Sequence, residues 1–360
     1  MVKGNGTREA RRGEHWVLVS DGADAGTRDC VVAIRALAEA GYKVAVTVRS
    51  ERPLLSRHVS RTVPADTEDL GGLIEREMSS GEYDAFIPAS ETVVLAMKAQ
   101  VPMLLDKAKT TRRAREVGIP VPDETVFENA SQLLAAAPDL RYPVVVKPAV
   151  RTFKAFRADS AAELAAVPAD AGELIVQPFL DGQMSAIAGV MWDSRMHSST
   201  TERWERIWPL DCGLAAWAVT TSGSDRLANA LAELMAGYSG LFVAQFVDGH
   251  LIDLNLRVHS SLPLAVKAGA NLAAIYADLA HGLFPRPRQA EPGHTFRWIS
   301  GDVKGTVASL RSGAMTLSEA VHHLSPVGGT VHSIFSWNDP APMLARLGSR
   351  LAPRPDRPGT

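Results

Sequence analysis

The stretch FVAQFVDGHLIDLNLRVHSS, residues 242–261, places Asp253, Asn255 and Arg257 at every second position. Side chains two apart in an extended strand share a face. The same run puts Ile252, Leu254, Leu256 and Val258 on the other face. A carboxylate and an amide supply oxygen donors of the kind Mg²⁺ takes, usually beside phosphate oxygens and water. A guanidinium in the same row adds positive charge where a transferring phosphoryl group gathers negative charge. The competing reading is an exposed strand with ordinary polar residues. So apolar an opposite face is uncommon on an exposed strand.

A second candidate is Lys147, in the apolar run YPVVVKPA at 142–149. A buried ammonium is costly unless a phosphate or carboxylate meets it. Lys107 stands at a helix start beside Asp106, where it is either a phosphate ligand or a solvated charge next to an N-cap aspartate.

These residues need a scaffold, and 360 residues at 46% hydrophobic composition can bury one. At roughly 100–200 residues per domain, two or three domains are expected. Lys plus Arg is 38 against 40 Asp plus Glu, a net charge of −2. That balance argues against binding to nucleic acid or a membrane surface by charge, and for small-molecule partners. With only Cys30 and Cys212 there is no disulfide framework and no CxxC metal site. A reducing, cytoplasmic setting is expected. Cys212 reads as an inert buried thiol. No apolar run reaches the ~18 residues of a membrane helix.

Residues 1–14 read as a disordered leader with no signal-peptide core. A phosphate role for Arg8, Arg11 and Arg12 is the weaker reading there. From residue 15 to 103, strands at 15–20, 43–48 and 84–89 alternate with helices at 28–40, 68–79 and 91–99, which means a parallel sheet covered by helices. The turn SDGADAGT after the first strand lacks the GxGxxG spacing and reads as a tight strand-to-helix turn. Further on come a helix after Leu104, strands near 142–149, 173–193, 200–208 and 214–221, and a helix over 225–238. The hairpin at 242–258 follows, then helices near 263–281 and 301–311 and a weak strand at 330–335. Residues 351–360 read as a loose tail.

In this order the motifs resemble the ATP-grasp superfamily, in particular its carboxylate–amine ligases. DKAKTTRRAREVGIPVP (106–122) looks like the family's DK…GIPVP helix and exit, and YPVVVKP (142–148) like its nucleotide-binding lysine strand. LIVQPFLDG (174–182) looks like the hinge strand over adenine, and LIDLNLRVHSSLPLAVKAGANL (251–272) like the metal strand and the helix after it. The resemblance covers nearly the whole chain. It implies an α/β protein with an α+β lid: an ATP-grasp fold preceded by a Rossmann-like pre-ATP-grasp domain at 15–103. The ATP-grasp region would occupy 104–350, with its lid at about 120–182. It implies an ATP-dependent ligase that activates a carboxylate as an acylphosphate and joins it to an amine, using ATP and Mg²⁺ (or Mn²⁺), in a monomer or homodimer. A degenerate nucleotide-binding protein and a bicarbonate-activating carboxylase are the alternatives.

The resemblance assigns Lys107, Lys147 and Lys154 to the phosphates, Gln177, Phe179 and Leu180 to the adenine hinge, and Arg257 to the transferring group. Its metal ligands would be Asp253, Asn255 and Gln245. A two-residue turn at Asp248-Gly249 pairs Gln245 with Ile252, on the wrong face. A three-residue loop over Val247–Gly249 pairs it with Leu251 and so puts it on the Asp253 face. Two departures stand out: Pro178 and Met184 replace the usual hinge and ribose acids, and the loop AVRTFKAFRADS lacks the usual glycines. Arg151, Lys154 and Arg157 there either replace backbone amides at the phosphates or face solvent. Arg203 and Arg206, in TERWERIWPLDCG, are candidates for a substrate carboxylate, with stacking on Trp204 or Trp208 as the alternative. His259 and Ser261 are weaker substrate candidates, and Ser260 or Ser261 also suits a helix cap before Pro263.

Overall fold

The computed structural model describes residues 12–50, 55–65, 68–97 and 102–351. Arg8, Arg11 and the tail beyond 351 lie outside them. The first sheet holds β1 (Trp16–Ser20), β2 (Lys43–Val48), β3 (Arg61–Pro64) and β4 (Ala85–Pro88), all parallel in the order β3-β2-β1-β4. β1 and β2 are apolar because helices cover the sheet. The helix Arg28–Glu39 begins where Thr27 accepts from the Cys30 amide and ends before Gly41, whose φ of +91° suits glycine. In the turn between β1 and this helix, the Asp21 carboxylate accepts from the amides of Ala23, Ala25 and Thr27. Those N–H groups close the turn.

The second sheet is antiparallel, with β5 (Thr125–Phe127), β6 (Val144–Pro148), β7 (Phe156–Ala158) and β8 (Leu174–Pro178) in the order β5-β8-β6-β7. Its own core of Leu133, Val144, Val146, Leu164 and Leu174 makes it a small separate layer.

The third sheet has seven strands: β9 (Met184–Trp192), β10 (Arg195–Trp208), β11 (Leu214–Thr221), β12 (Gly240–Val247), β13 (His250–Asn255), β14 (Thr295–Arg297) and β15 (Val331–His332). They run β13-β12-β9-β10-β11-β14-β15, antiparallel except for β14 with β15. On one face Ile187, Met191, Phe242, Phe246 and Leu254 pack with Ala114, Leu231 and Leu234 from the helices Lys107–Glu116 and Asp225–Leu234. On the other, Ala186, Ala188 and Val243 pack with the helices Arg28–Glu39, Leu262–Lys267 and Leu272–Ala280. The small alanines let helices approach the sheet closely.

Two expectations change here. The helix expected over 263–281 is two helices, because the first ends at Ala268 and Gly269 follows at φ +87°. The leader is anchored at its end: Arg12 donates from Nε to Asp278 Oδ1 at 2.9 Å and from Nη2 to Oδ2 at 2.5 Å. A phosphate role for Arg12 gives way to this pair.

Candidate active site

The β12–β13 hairpin turns at Asp248 and Gly249, whose φ values of +44° and +79° are those of a two-residue hairpin turn. Val247 pairs with His250 and Phe246 with Leu251, but Gln245 pairs with Asp253. Ile252 is the extra residue of a β-bulge. Neither register derived from the sequence is therefore right: the turn has two residues, yet Gln245 faces the same way as Asp253. The bulge also keeps Leu251 and Leu254 together in the apolar cluster beneath the strand.

Two lysines converge on this edge. Lys107 Nζ is ion-paired with Asp253 Oδ1. Lys147, on β6 of the small sheet, donates from Nζ to the Ile252 carbonyl at 2.9 Å, the carbonyl of the bulge residue. The two are brought side by side because the Lys107 amide donates to the Ala149 carbonyl at 2.8 Å, two residues past Lys147. Asp106 caps the Lys107 helix, accepting from the Lys109 amide. Asn255 Nδ2 donates to Asp253 Oδ2 at 2.7 Å.

Charge follows from this packing. Burial works to raise the Asp253 pKa, but Lys107, then Lys147 and the Asn255 bond, outweigh it and hold it at about 2. Burial likewise opposes the Lys107 charge, and Asp253 and Glu91 reverse that, so its pKa is raised. Among the described residues Lys147 meets no carboxylate directly; burial, opposed by Asp253 and aided by Lys107, takes it down to about 8.

The donor set fits a hard divalent cation. Asp253 and Gln245 stand directly opposed on adjacent strands, and Asn255, two pairs along, presents its amide oxygen to the same face if the amide turns over. Only Asp253 carries charge.

Arg257 departs from the expectation of a three-residue row. β13 ends at Asn255, so Arg257 lies past the strand. It lines the same cleft as Lys107 and Asn255, and its Nη1 donates to Asp29 Oδ2 at 2.5 Å. At the hinge, the Gln177 side chain donates to Glu124 Oε2 at 3.1 Å, which supplies a carboxylate beside the acid-free Pro178 position. The Phe179 amide donates to the Pro143 carbonyl, so that N–H is engaged within the small sheet. Its ring lies 4.3 Å from the Arg157 guanidinium carbon, and Leu180 is half-buried beside it. In the glycine-poor loop, Arg151 pairs with Glu91 at 2.7 Å, Arg157 with Asp159, and Lys154 is exposed.

The arginines of TERWER lie differently from the expectation. Arg203 is exposed and paired with Glu205. Arg206 binds both oxygens of Asp302, at 2.5 and 3.0 Å, and lies over Trp217 rather than Trp204 or Trp208. Arg297 binds the same buried carboxylate at 2.5 Å. This is a packed charge cluster. Cys212 is half-buried, and burial pushes its thiol up to about 11.

Glu202 lies outside the residues that sequence reasoning singles out. Gln245 pairs with Ala186, and Ala186 with Glu202, so Asp253, Gln245 and Glu202 share one face of the sheet. Glu202 is fully buried. It accepts from Ser261 Oγ at 2.8 and 3.0 Å and from Trp204 Nε1 at 3.2 Å, with His259 Nε2 3.5 Å away. Ser261 stands at the N-cap position, but its hydroxyl binds Glu202 and makes no cap bond. His259 and Ser261 thus tie the segment after Arg257 to the sheet. The alternation of charges in TERWER, with one carboxylate turned inward, was the available signal.

No protein-family model matches the chain, and no curated protein matches it in sequence. Solved structures do match in fold. An L-amino acid ligase from Bacillus licheniformis superposes with a TM-score of 0.57 at 18% identity, over 77% of this chain and 75% of that one. An ADP complex of N5-carboxyaminoimidazole ribonucleotide synthetase gives 0.59 at 16%, over 84% and 85%. A carboxyaminoimidazole ribonucleotide synthase from Aspergillus clavatus, complexed with ATP, gives 0.58 at 14%, over 78% and 81%. At these identities the likeness establishes the fold, which is ATP-grasp.

Proposed function

We propose that the chain is an ATP-dependent ligase that activates a small-molecule carboxylate and joins it to an amine. The observation that carries this reading is the convergence of Lys107 and Lys147 on the Asp253 edge, between the small sheet and the seven-stranded sheet. It is supported by the fold shared with an L-amino acid ligase and with synthetases solved with ADP or ATP.

ATP would lie between the two sheets, its base at the Gln177–Leu180 hinge and its phosphates at the lysines. Asp253, with Gln245 and Asn255, would hold Mg²⁺, which neutralises phosphate oxygens when bound. Lys147 and Lys107 orient the γ-phosphoryl group by their charge. A substrate carboxylate oxygen attacks the γ-phosphorus, the bond to the β-phosphate oxygen breaks, and ADP leaves. The amine nitrogen then attacks the acyl carbon, phosphate departs with the bond's electron pair, and the nitrogen loses a proton. Arg257 offsets the charge on the transferring oxygens once it exchanges Asp29 for them. Positioning of this kind is most of what phosphoryl transfer asks of a protein.

A second reading, nucleotide binding without turnover, draws on the Arg257–Asp29 pair and on the loop arginines held by Glu91 and Asp159. Both readings predict that MgATP raises the unfolding temperature and NAD does not, with the gain following RT ln(1 + [L]/Kd). Equal protection by NAD, or none by MgATP, overturns both. ADP release across a panel of acids with an amine then separates them, since only the ligase turns over.

A further inference from the structure

Two imidazoles and a carboxylate meet at the far end of the first sheet. β1 and β4 run parallel, with Val17 opposite Ala85 and Ser20 opposite Pro88. The Val258 amide donates to the Pro88 carbonyl, so the ends of these strands meet the segment that follows Asn255 and Arg257. Their starts lie on the order of 13 Å away, at ~3.3 Å per residue. There His15 precedes β1 and Asp84 precedes β4, and the Asp84 amide donates to the Trp16 carbonyl at 2.9 Å. His281 joins them from the C-cap of the helix Leu272–Ala280.

His15 Nδ1 lies 3.2 Å from Asp84 Oδ2, and His281 Nδ1 lies 2.8 Å from Asp84 Oδ1. The imidazole centres are 3.6 Å apart, with the rings inclined at 46°. One ligand atom from each side chain lies within 4.8 Å of the other two, and among the described residues no other three His, Cys, Asp or Glu side chains converge in this way. Each member is fixed from behind. The Trp16 amide donates to Asp84 Oδ2 at 3.0 Å. The His15 amide donates to the Arg12 carbonyl, and the His15 carbonyl accepts from the Lys43 amide, both at 3.0 Å. Outer partners of this kind orient metal ligands. The Arg12 charge nearby is offset by Asp278. His281 sits at a helix C-terminus, the end that favours a cation. The three side chains are 20%, 22% and 27% exposed, so an ion can reach them from solvent.

Two Nδ1 atoms aimed at one carboxylate can each donate a hydrogen to it, or can share a cation with it through their lone pairs. At Zn–N bonds of about 2.0–2.1 Å, tetrahedral ligands stand about 3.3 Å apart. The 2.8 and 3.2 Å contacts need only a small spreading to admit such an ion. Two nitrogens and an oxygen suit a borderline ion of the Zn²⁺ kind, whereas Mg²⁺ prefers oxygen ligands.

We infer that His15, Asp84 and His281 bind a divalent transition-metal ion of the Zn²⁺ class, leaving a fourth position to water, at a site separate from the Asp253 edge. The ion pins the start of the first sheet to the helix Leu272–Ala280, which packs on the seven-stranded sheet. This site draws on no residue of the proposed ligase chemistry.

The test uses the untagged full chain, stripped of metal with a chelator and dialysed, into which Zn²⁺ is titrated calorimetrically. Wild type is expected to take one Zn²⁺ per chain, undisturbed by an excess of Mg²⁺, and to melt at a higher temperature with it. His281→Gln and Asp84→Asn are each expected to bind Zn²⁺ at least about tenfold more weakly and to lose that rise in melting temperature. Asp84→Asn keeps an acceptor for the Trp16 amide, so it decides the matter should His281→Gln fail to fold. Asp253→Asn, and His322→Gln at an exposed histidine elsewhere, are expected to keep both the binding and the rise. Absence of stoichiometric Zn²⁺ binding, which leaves both imidazoles as hydrogen-bond donors to Asp84, overturns the site. Binding unchanged in His281→Gln and Asp84→Asn, or lost equally in Asp253→Asn or His322→Gln, overturns it as well.

Discussion

Gln245 stands directly opposite Asp253, and a one-residue bulge at Ile252 puts it there. An amide facing a carboxylate across a strand pair gives two oxygen donors with a single charge. Gln245→Glu would set two carboxylates face to face, which repel unless a cation joins them. The variant should melt below wild type in the presence of a chelator and regain stability with Mg²⁺, with a steeper Mg²⁺ dependence than wild type. Gln245→Leu should show no such dependence. Thermal unfolding over a Mg²⁺ series decides it: a flat response from Gln245→Glu would remove this pair from the metal site.

Asp253→Asn keeps the shape of the side chain and removes the only formal negative charge in that donor set. ADP release should fall by at least about a hundredfold with an unchanged circular dichroism spectrum. Asn255→Ala should fall less, because water can replace a neutral donor. The carboxylate also carries a pH signature. Its pKa is lowered from 3.8 to about 2, so its contribution to stability is present above pH 3.8 and lost as pH falls toward 2. Asp253→Asn should lack that segment of the acid-unfolding curve. Near-normal turnover in this variant would sink the proposed chemistry.

Lys147 titrates in the opposite sense. Its pKa falls from 10.5 to about 8 on folding, chiefly by burial. The unfolded chain holds that proton up to pH 10.5, so this group makes stability rise with pH between about 8 and 10.5. Nucleotide affinity should move the other way, weakening as pH rises through about 8 and the ammonium loses its charge. Lys147→Met should bind MgATP poorly at every pH and show neither trend. Thermal unfolding from pH 7 to pH 9.5 checks the first trend and calorimetric titration of MgATP over the same range the second; an unchanged affinity in Lys147→Met would make Lys147 a structural residue.

Asp302 is fully buried between Arg206 and Arg297. Asp302→Ala would leave two guanidiniums without their shared carboxylate and should cost about 3–5 kcal/mol. MgATP affinity, measured below the lowered melting point, should hold. A loss of stability under about 1 kcal/mol would show that water or the carbonyls of His323 and Ser325 already satisfy the pair.

The legible parts of the fold were those with one strong period. β1 and β2 are continuous apolar runs, and the helix Arg28–Glu39 repeats apolar residues on one face up to Gly41. β3 escaped because Arg61-Thr62-Val63-Pro64 is an exposed edge with one buried residue. The seven-residue helix Ala130–Ala136 is too short for periodicity to show. The helix Leu317–Leu324 carries a readable start in its sequence, the Thr316–Glu319 capping box.

At the site, residue types were legible and partners were not. Asp253, Asn255, Lys107 and Lys147 could be picked out by chemistry and by resemblance. That Arg257 turns to Asp29, or Arg206 to Asp302, depends on residues 228 and 96 positions away. No local pattern encodes such pairs. The bulge did leave a trace: Leu251 and Ile252 are adjacent apolar residues in a strand that otherwise alternates, and a strand keeps its faces through such a pair only by bulging.

That bulge also couples two layers of the molecule. β13 is the edge strand of its sheet, and the carbonyl of the bulged Ile252 accepts from Lys147 of the small sheet. The small sheet is therefore latched to the large one through the same ammonium proposed to hold phosphate. ATP would have to draw Lys147 off the latch, so opening the small sheet and gripping the nucleotide would be two positions of one side chain. Deleting Ile252 would restore unbroken pairing with Gln245 still opposite Asp253, and would take away the carbonyl that Lys147 holds.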